Sequence, residues 1–322
     1  MLCAFNTPVP ADGYRWWYLD ALSDCGQHGL TMIAFVGSVF SPYYAWARKR
    51  TPGHTPPENY CAMNIALYQK NAPRWALTER GSAQLKRTER EFHVGPSSLM
   101  WKSDGLQIAI DERCAPFPLK LNGSILVQGN FREDFQYSLD AQDHHHWGPI
   151  ASVARVSLDL QNPKVNWSGN AYFDSNAGSV PLEQDFISWD WSRVVTPHGD
   201  TDVWYDIDRR DGGATLLGER FFASGAVSSL LKAPGYPLQR KPLPTGPIWR
   251  VPRTTRLPHE TTRIVRTLED TPFYTRSMVT SEREGVACEG VHESLDLDRF
   301  SSRWVQTLLP FRMPRITRPG LW

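Results

Sequence analysis

The sequence predicts an all-β protein built from two successive units, each a closed barrel or sandwich, with little helix. Three observations lead there. Stretches rich in β-branched and aromatic residues recur between Gly, Pro, Asn and Asp turns along all 322 residues. Several alternate, as where Val203, Tyr205 and Ile207 interleave with Trp204, Asp206 and Asp208, the pattern of a sheet with one buried face. The 25 Pro and 23 Gly disfavour continuous helical packing, while 13 Trp, 11 Tyr and 14 Phe demand large buried surfaces. At about 150 residues per domain the length suits two units, and closure of each sheet would cover its edges.

In chain order, strands are expected at 14–20, 30–40, 61–69, 106–111 and 125–137. A second series follows at 152–160, 165–173, 186–194, 201–207, 214–219, 262–268, 273–280 and 286–294. Residues 57–69 also permit a helical start, and 300–309 has apolar spacing for a terminal turn or two. Asp206 and Asp208 read as solvated strand residues, and Gly212-Gly213 after Asp211 as a hairpin turn. The boundary is placed near Glu183, giving domains 1–183 and 184–322.

Residues 232–258 hold seven prolines and six basic residues with no carboxylate. This is an extended loop, either a Pro-stiffened surface connection or a basic membrane-facing segment. The tail poses the same choice, because Trp304, Leu308, Leu309, Phe311 and Trp322 interleave with Arg303, Arg312, Arg315 and Arg318. The longest apolar run, 29–40, is too short to span a bilayer as a helix.

The 35 basic and 34 acidic residues nearly cancel, which removes the cationic excess of a nucleic-acid coat. Five scattered cysteines without a C-x-x-C pair imply neither a disulfide framework nor a zinc ribbon. With no secretory signal at the N-terminus, a cytoplasmic setting is expected. No dinucleotide, Walker or G-x-S-x-G motif is present, so any chemistry uses side chains and no cofactor.

Two constellations could carry that chemistry. Asp143-His144-His145-His146-Trp147-Gly148-Pro149 invites a metal reading, yet in an extended segment His145 and Trp147 face away from His144 and His146. Three adjacent histidines cannot then converge on one ion, which leaves a solvated loop or a catalytic face carrying His145 and Trp147. No metal site is expected. In the second constellation, 167–183, Tyr172 and Asp174 share a strand face. Asp174 there is either an acid beside an aromatic wall or the start of an Asx turn into Ser175-Asn176.

With these motifs the chain resembles the acyclic carotenoid 1,2-hydratase (hydroxyneurosporene synthase) family of phototrophic and other carotenogenic bacteria. The likeness is strongest at His145-x-Trp147-x-Pro149 and Gly169-x-x-Tyr172-x-Asp174, and it extends from Trp16-Trp17-Tyr18-Leu19-Asp20 and the segment 35–43 to the tail. It implies a tandem lipocalin-like (calycin) β fold. It also implies cofactor-independent addition of water to the terminal C1–C2 double bond of lycopene- or neurosporene-type carotenoids. Asp174 would be the acid, with His145, Trp147 and Tyr172 around it. The wider superfamily has His and Trp after the Asp where this chain has Ser175 and Ala177, which leaves the local turn chemistry open.

The chemistry agrees with that assignment. A trisubstituted alkene is a very weak base, so Asp174 must be protonated beforehand, and burial favours the neutral acid. Protonation at C2 leaves a tertiary cation at C1 that Trp147 and Tyr172 can face, worth about 2 kcal/mol when desolvated. His145 would either bond the acid or hold the attacking water. The partners implied are an acyclic carotenoid, water and, by peripheral contact, the cytoplasmic face of the inner membrane, but no nucleic acid. A non-catalytic lipocalin-like carrier of an apolar ligand is the alternative, and a carbohydrate-active β enzyme with a second acid within about 10 Å is a third.

Overall fold

The computed structural model describes residues 3–133, 135–232, 239–257 and 261–317. It forms two compact units, Met1–Pro181 with Gln306–Trp322, and Leu182–Val305. The tail that the sequence reading assigned to the second domain thus groups with the first unit.

Strands of the first unit are, in order, β1 (Tyr14–Ser23), β2 (Gly29–Val36), β3 (Cys61–Tyr68), β4 (Arg74–Arg80), β5 (Leu85–Arg87) and β6 (Glu91–Val94). They continue with β7 (Ser97–Lys102), β8 (Gly105–Arg113), β9 (Lys120–Gly129), β10 (Tyr137–Ser138), β11 (His145–Asn162) and β12 (Val165–Gly178). The sheet runs β4-β3-β2-β1-β12-β11-β9-β8-β7-β6-β5, with β10 added beside β11. It curls around one apolar core. Trp17 and Leu19 of β1, Ile65 of β3, Phe92 of β6, Ile108 of β8, Val156 of β11 and Phe173 of β12 all meet there. Burying each such side chain stabilises by about 1.5–3 kcal/mol, so the period-2 pattern fixes which face of every strand turns inward.

Several expectations are corrected locally. The strand expected at 30–40 stops at Val36, where Gly37 adopts φ +69° and a Cβ would lie 2.5 Å from the Gly13 carbonyl oxygen. A helix follows at Pro42–Arg50, which the sequence reading missed; the Ser41 Oγ caps it by accepting from the Tyr44 N–H at 3.1 Å. Residues 57–69 make one tight turn, Pro57–Asn59, before β3, and the strand expected at 125–137 ends at Gly129.

The second unit holds β13 (Phe186–Val195), β14 (Thr201–Arg209), β15 (Ala214–Phe221), β16 (Val227–Ser229), β17 (Lys241–Leu243), β18 (Arg253–Thr255), β19 (Arg263–Asp270), β20 (Tyr274–Arg283) and β21 (Val286–Asp296). Its main sheet runs β16-β15-β14-β13-β21-β20-β19, and β17 pairs with β18 as a separate ribbon. This ribbon is the Pro-rich basic segment, so that segment is not simply a loop over the surface. Leu243, Val251, Arg253 and Leu257 are buried, and Thr254 donates from N to Asp190 Oδ1 of β13 at 3.2 Å. Asp206 is buried, not solvated: Arg240 donates to Asp206 and Asp208, and Arg256 Nε donates to Asp206 Oδ2 at 2.7 Å. Three of the six basic residues of 232–258, Arg240, Arg253 and Arg256, are therefore engaged inside the unit. Pro234, Pro237 and Pro258 of that segment lie outside the described residues.

Residues 300–309 are helical in two short pieces, Leu297–Ser301 and Arg303–Leu308. Beyond them β22 (Arg315–Ile316) pairs with β4, the one parallel step among the described strands. Arg315 ion-pairs with buried Glu79, and Arg312 lies over the Trp75 ring at 4.7 Å. Arg318 and Trp322, also part of the basic aromatic reading of the tail, lie outside the described residues.

Candidate active site

β1, β12 and β11 are adjacent, and their two faces differ sharply. Ala171, Phe173, Trp17 and Leu19 point into the apolar core. Alternation sends Tyr172, Asp174 and Asn176 to the opposite face. Register brings matching residues beside them: Tyr18 is opposite Asp174, Asp20 opposite Tyr172 and Trp16 opposite Asn176. On the other side Trp147 faces Asn176 and His145 faces Gly178. All four residues singled out in the sequence thus share one face of three neighbouring strands, turned away from the core.

Three of them form a hydrogen-bonded cluster. Trp147 Nε1–H donates to Asp174 Oδ2 at 2.8 Å and is also 3.1 Å from the Tyr172 hydroxyl oxygen. The Tyr172 hydroxyl donates to the same Asp174 Oδ2 at 2.8 Å. Asp174 is 4% exposed, Trp147 1% and Tyr172 0%, so these bonds form out of bulk water. Burial first, then the nearby Asp174 charge, pushes the Tyr172 phenol well above its ordinary value of 10. The phenol therefore stays protonated and remains a donor. Asp174 does not begin a turn; the strand runs four residues beyond it, to Gly178.

His145 occupies a different place. It is opposite Gly178, four positions along β12 from Asp174, about 13 Å at the rise of an extended strand. Its Nδ1 is 3.0 Å from the Tyr14 hydroxyl, and its backbone N–H donates to Asp140 Oδ2 at 2.7 Å. Asp140 also accepts from the N–H groups of Gln142 and His144, closing the turn that leads into β11. His146, on the other side of the strand, is half-buried and 2.9 Å from Asp143. Trp147 is further enclosed by Tyr137 of β10, whose ring stacks on it at 5.1 Å.

The sequence reading missed Tyr14, Tyr18 and Asp20, which reach this face through β1. The signal was there in Tyr14-Arg15-Trp16-Trp17-Tyr18-Leu19-Asp20, where every second residue is aromatic or acidic. Ser175 has the opposite parity: it is opposite Trp17, buried, and its hydroxyl has no hydrogen-bond partner among the described residues. It faces away from the Asp174 carboxyl.

The chain matches the family described as carotenoid hydratase CrtC over residues 32–320. It is 48% identical over 314 residues to an acyclic carotenoid 1,2-hydratase of Thiocapsa roseopersicina, covering 97% of this chain and 75% of that protein. It is 46% identical over 312 residues to an acyclic carotenoid 1,2-hydratase of Rubrivivax gelatinosus, with the same shares covered. Among solved structures, a protein described as an AttH from Nitrosomonas europaea aligns with a TM-score of 0.57 at 14% identity, covering 87% of this chain and 91% of that one. That likeness is one of fold, a lipocalin-like arrangement of curled sheets. By its match along nearly the whole sequence, the chain belongs to the carotenoid hydratase CrtC family.

Proposed function

We propose that this protein is a carotenoid 1,2-hydratase that adds water to the terminal C1–C2 double bond of an acyclic, lycopene- or neurosporene-type carotenoid. Family membership supports the substrate class, and the two relatives above carry the name acyclic carotenoid 1,2-hydratase. One observation supports the chemistry: two donors, Trp147 Nε1–H and the Tyr172 hydroxyl, converge on a single oxygen of a buried carboxyl, Asp174 Oδ2.

With Oδ2 so occupied, the proton of the neutral acid sits on Oδ1. Transfer of that proton to C2 forms the new C–H bond from the π pair and leaves a tertiary cation at C1. The carboxylate that results gains most from its two donors, since hydrogen bonds to a charged acceptor are about twice as strong as neutral ones. These bonds thus strengthen as the proton leaves, which is stabilisation of the transition state over the ground state. The Trp147 and Tyr172 rings provide negative faces near the cation. Water adds to C1, and the oxonium proton returns to Asp174, so the cycle closes with no net oxidation and no cofactor. His145, bonded to Tyr14 at the far end of the face, is read as a positioning residue of the wall.

We read the two curled sheets as a tandem of lipocalin-like units. We also place the reaction at the cytoplasmic face of the inner membrane, because the substrate dissolves in lipid. No helix of the described residues is long and apolar enough to cross a membrane, so the contact envisaged is peripheral.

The test is Asp174→Asn, which keeps the shape of the acid. Purified protein is incubated with lycopene in isotopically labelled water and the product is weighed by mass spectrometry. The unaltered protein should give a hydroxylated carotenoid carrying the label, and the variant should be slower by about 10²–10⁴-fold. A normal rate from the variant would overturn the acid assignment, and absence of product from the unaltered protein would favour the carrier reading.

A further inference from the structure

Within the second unit, the turn at residues 246–250 holds two large apolar side chains out of the protein. Ile248 is 73% and Trp249 39% exposed. The turn is firmly built. The Ile248 N–H donates to Asp270 Oδ2 at 2.6 Å, the Arg250 N–H donates to the Gly246 carbonyl at 3.1 Å, and Arg299 Nη1 donates to the Trp249 carbonyl at 2.7 Å. Trp249 stacks on Trp304, itself 50% exposed, with ring centroids 5.8 Å apart. Trp304 and Ile187, 36% exposed, also line an open hollow that carries Asp190, Asp208, Asp296 and Asp298, so the exposed indole pair borders a polar hollow.

Cations ring this surface. Arg250 and Arg303 are exposed and Arg299 is half-buried. The acids nearby are engaged: Asp270 holds the turn, Asp296 pairs with Arg299, Asp298 with Arg210 and Asp208 with Arg240, while Asp190 accepts from the Thr254 N–H. A rigid turn that displays Ile and paired Trp indoles inside a rim of arginines matches the headgroup layer of an anionic bilayer, where indoles settle and cations meet phosphates.

We propose that Ile248, Trp249 and Trp304, with Arg250, Arg299 and Arg303, form the surface by which the protein docks on an anionic lipid membrane. The surface deepens the reading of a lipid-dissolved polyene as substrate, and it rests on that reading for its purpose. Apolar anchors and cations act together here, because neither alone holds a protein firmly on a bilayer.

The full chain is sedimented with phosphatidylcholine vesicles, with and without phosphatidylglycerol, while hydration of detergent-dispersed lycopene is measured separately. The unaltered protein should bind the anionic vesicles. Trp249→Ala combined with Trp304→Ala, and independently Ile248→Glu at the solvent-exposed tip, should weaken binding about tenfold or more while leaving the detergent assay unchanged. Arg250→Ala with Arg303→Ala should lower binding to anionic vesicles and flatten its salt dependence. The docking assignment fails if the unaltered protein ignores vesicles, if the variants bind as it does, or if they change only self-association in gel filtration. A protein that docks but makes no product would instead sink the hydratase reading and leave the surface standing.

Discussion

Two donors on one carboxyl oxygen set the problem at the scale of residues. Hydrogen bonds to Asp174 Oδ2 favour its ionised form, while burial at 4% exposure opposes it. For an acid that gives its proton to carbon, the role proposed for Asp174, both are useful: burial opposes the charged form, and the donors receive the charge as it develops. Trp147→Phe keeps the aromatic ring and deletes one donor. A hydrogen bond to a charged group contributes about 1.5–3 kcal/mol, so kcat should fall roughly 10- to 100-fold with KM little changed. Steady-state kinetics on dispersed lycopene decide it, and a change confined to KM would mean that Trp147 only binds substrate. Because burial first, and then Asp174, raises Tyr172 well above 10, the pH profile should show no limb from Tyr172 up to about pH 10, and a limb there would mean that the phenol is not held in this cluster. The pairing of Tyr172 with Asp174 was legible in the sequence, since a spacing of two puts side chains on one face. The Tyr14 partner of His145 was not, because 131 residues separate them and only strand register brings them together.

Register is a property of elements, and one glycine shows what it enforces. Gly178 lies between Tyr14 of β1 and His145 of β11. A Cβ there would press into the Tyr14 ring and come within 2.6 Å of His145 Nδ1. Gly178→Ala should therefore separate the Tyr14–His145 pair without disturbing the core on the other side of the sheet. We expect activity to drop about tenfold or more, with a melting temperature close to that of the unaltered protein. If activity is retained while the pair is displaced in a crystal structure of the variant, the pair has no positioning role. Alternation revealed β1, β13 and β14 because one face of each is apolar. It missed β5 and β6, whose Leu85-Lys86-Arg87 and Glu91-Phe92-His93-Val94 are too short and charged for a period of two to register. The ribbon β17–β18 hid among prolines for another reason. Its stability comes from Asp190, Asp206 and Asp208 on distant strands, which local composition cannot report.

At the scale of the whole molecule, the chain's far end completes its beginning. Arg315 of β22 is paired with Glu79 of β4, a carboxyl that is 0% exposed, and Gln84 Nε2 donates to the Ile316 carbonyl at 2.9 Å. Local sequence gave no hint of this, because a tail of arginines and aromatics reads equally well as a lipid-facing segment. Burial pushes Glu79 up from 4.5 to about 7, against the lowering effect of Arg315. A carboxyl raised on folding binds its proton more tightly in the native state. Its contribution to stability is therefore full below about 4.5 and is lost as pH rises through about 7. Removing Arg315 takes away the main opposing charge, so Arg315→Met should extend that loss to higher pH. Near pH 8 the variant should be less stable by about 3–5 kcal/mol, the usual cost of stranding a buried charge, and near pH 5, with Glu79 protonated in both proteins, the gap should narrow. Melting curves at the two pH values measure the difference, with Glu79→Gln as the control that removes the titration. A gap of equal size at both would mean that Arg315 stabilises through its other contacts, the Asn59 carbonyl at 2.9 Å and the Tyr60 ring at 4.5 Å, with the ion pair contributing nothing.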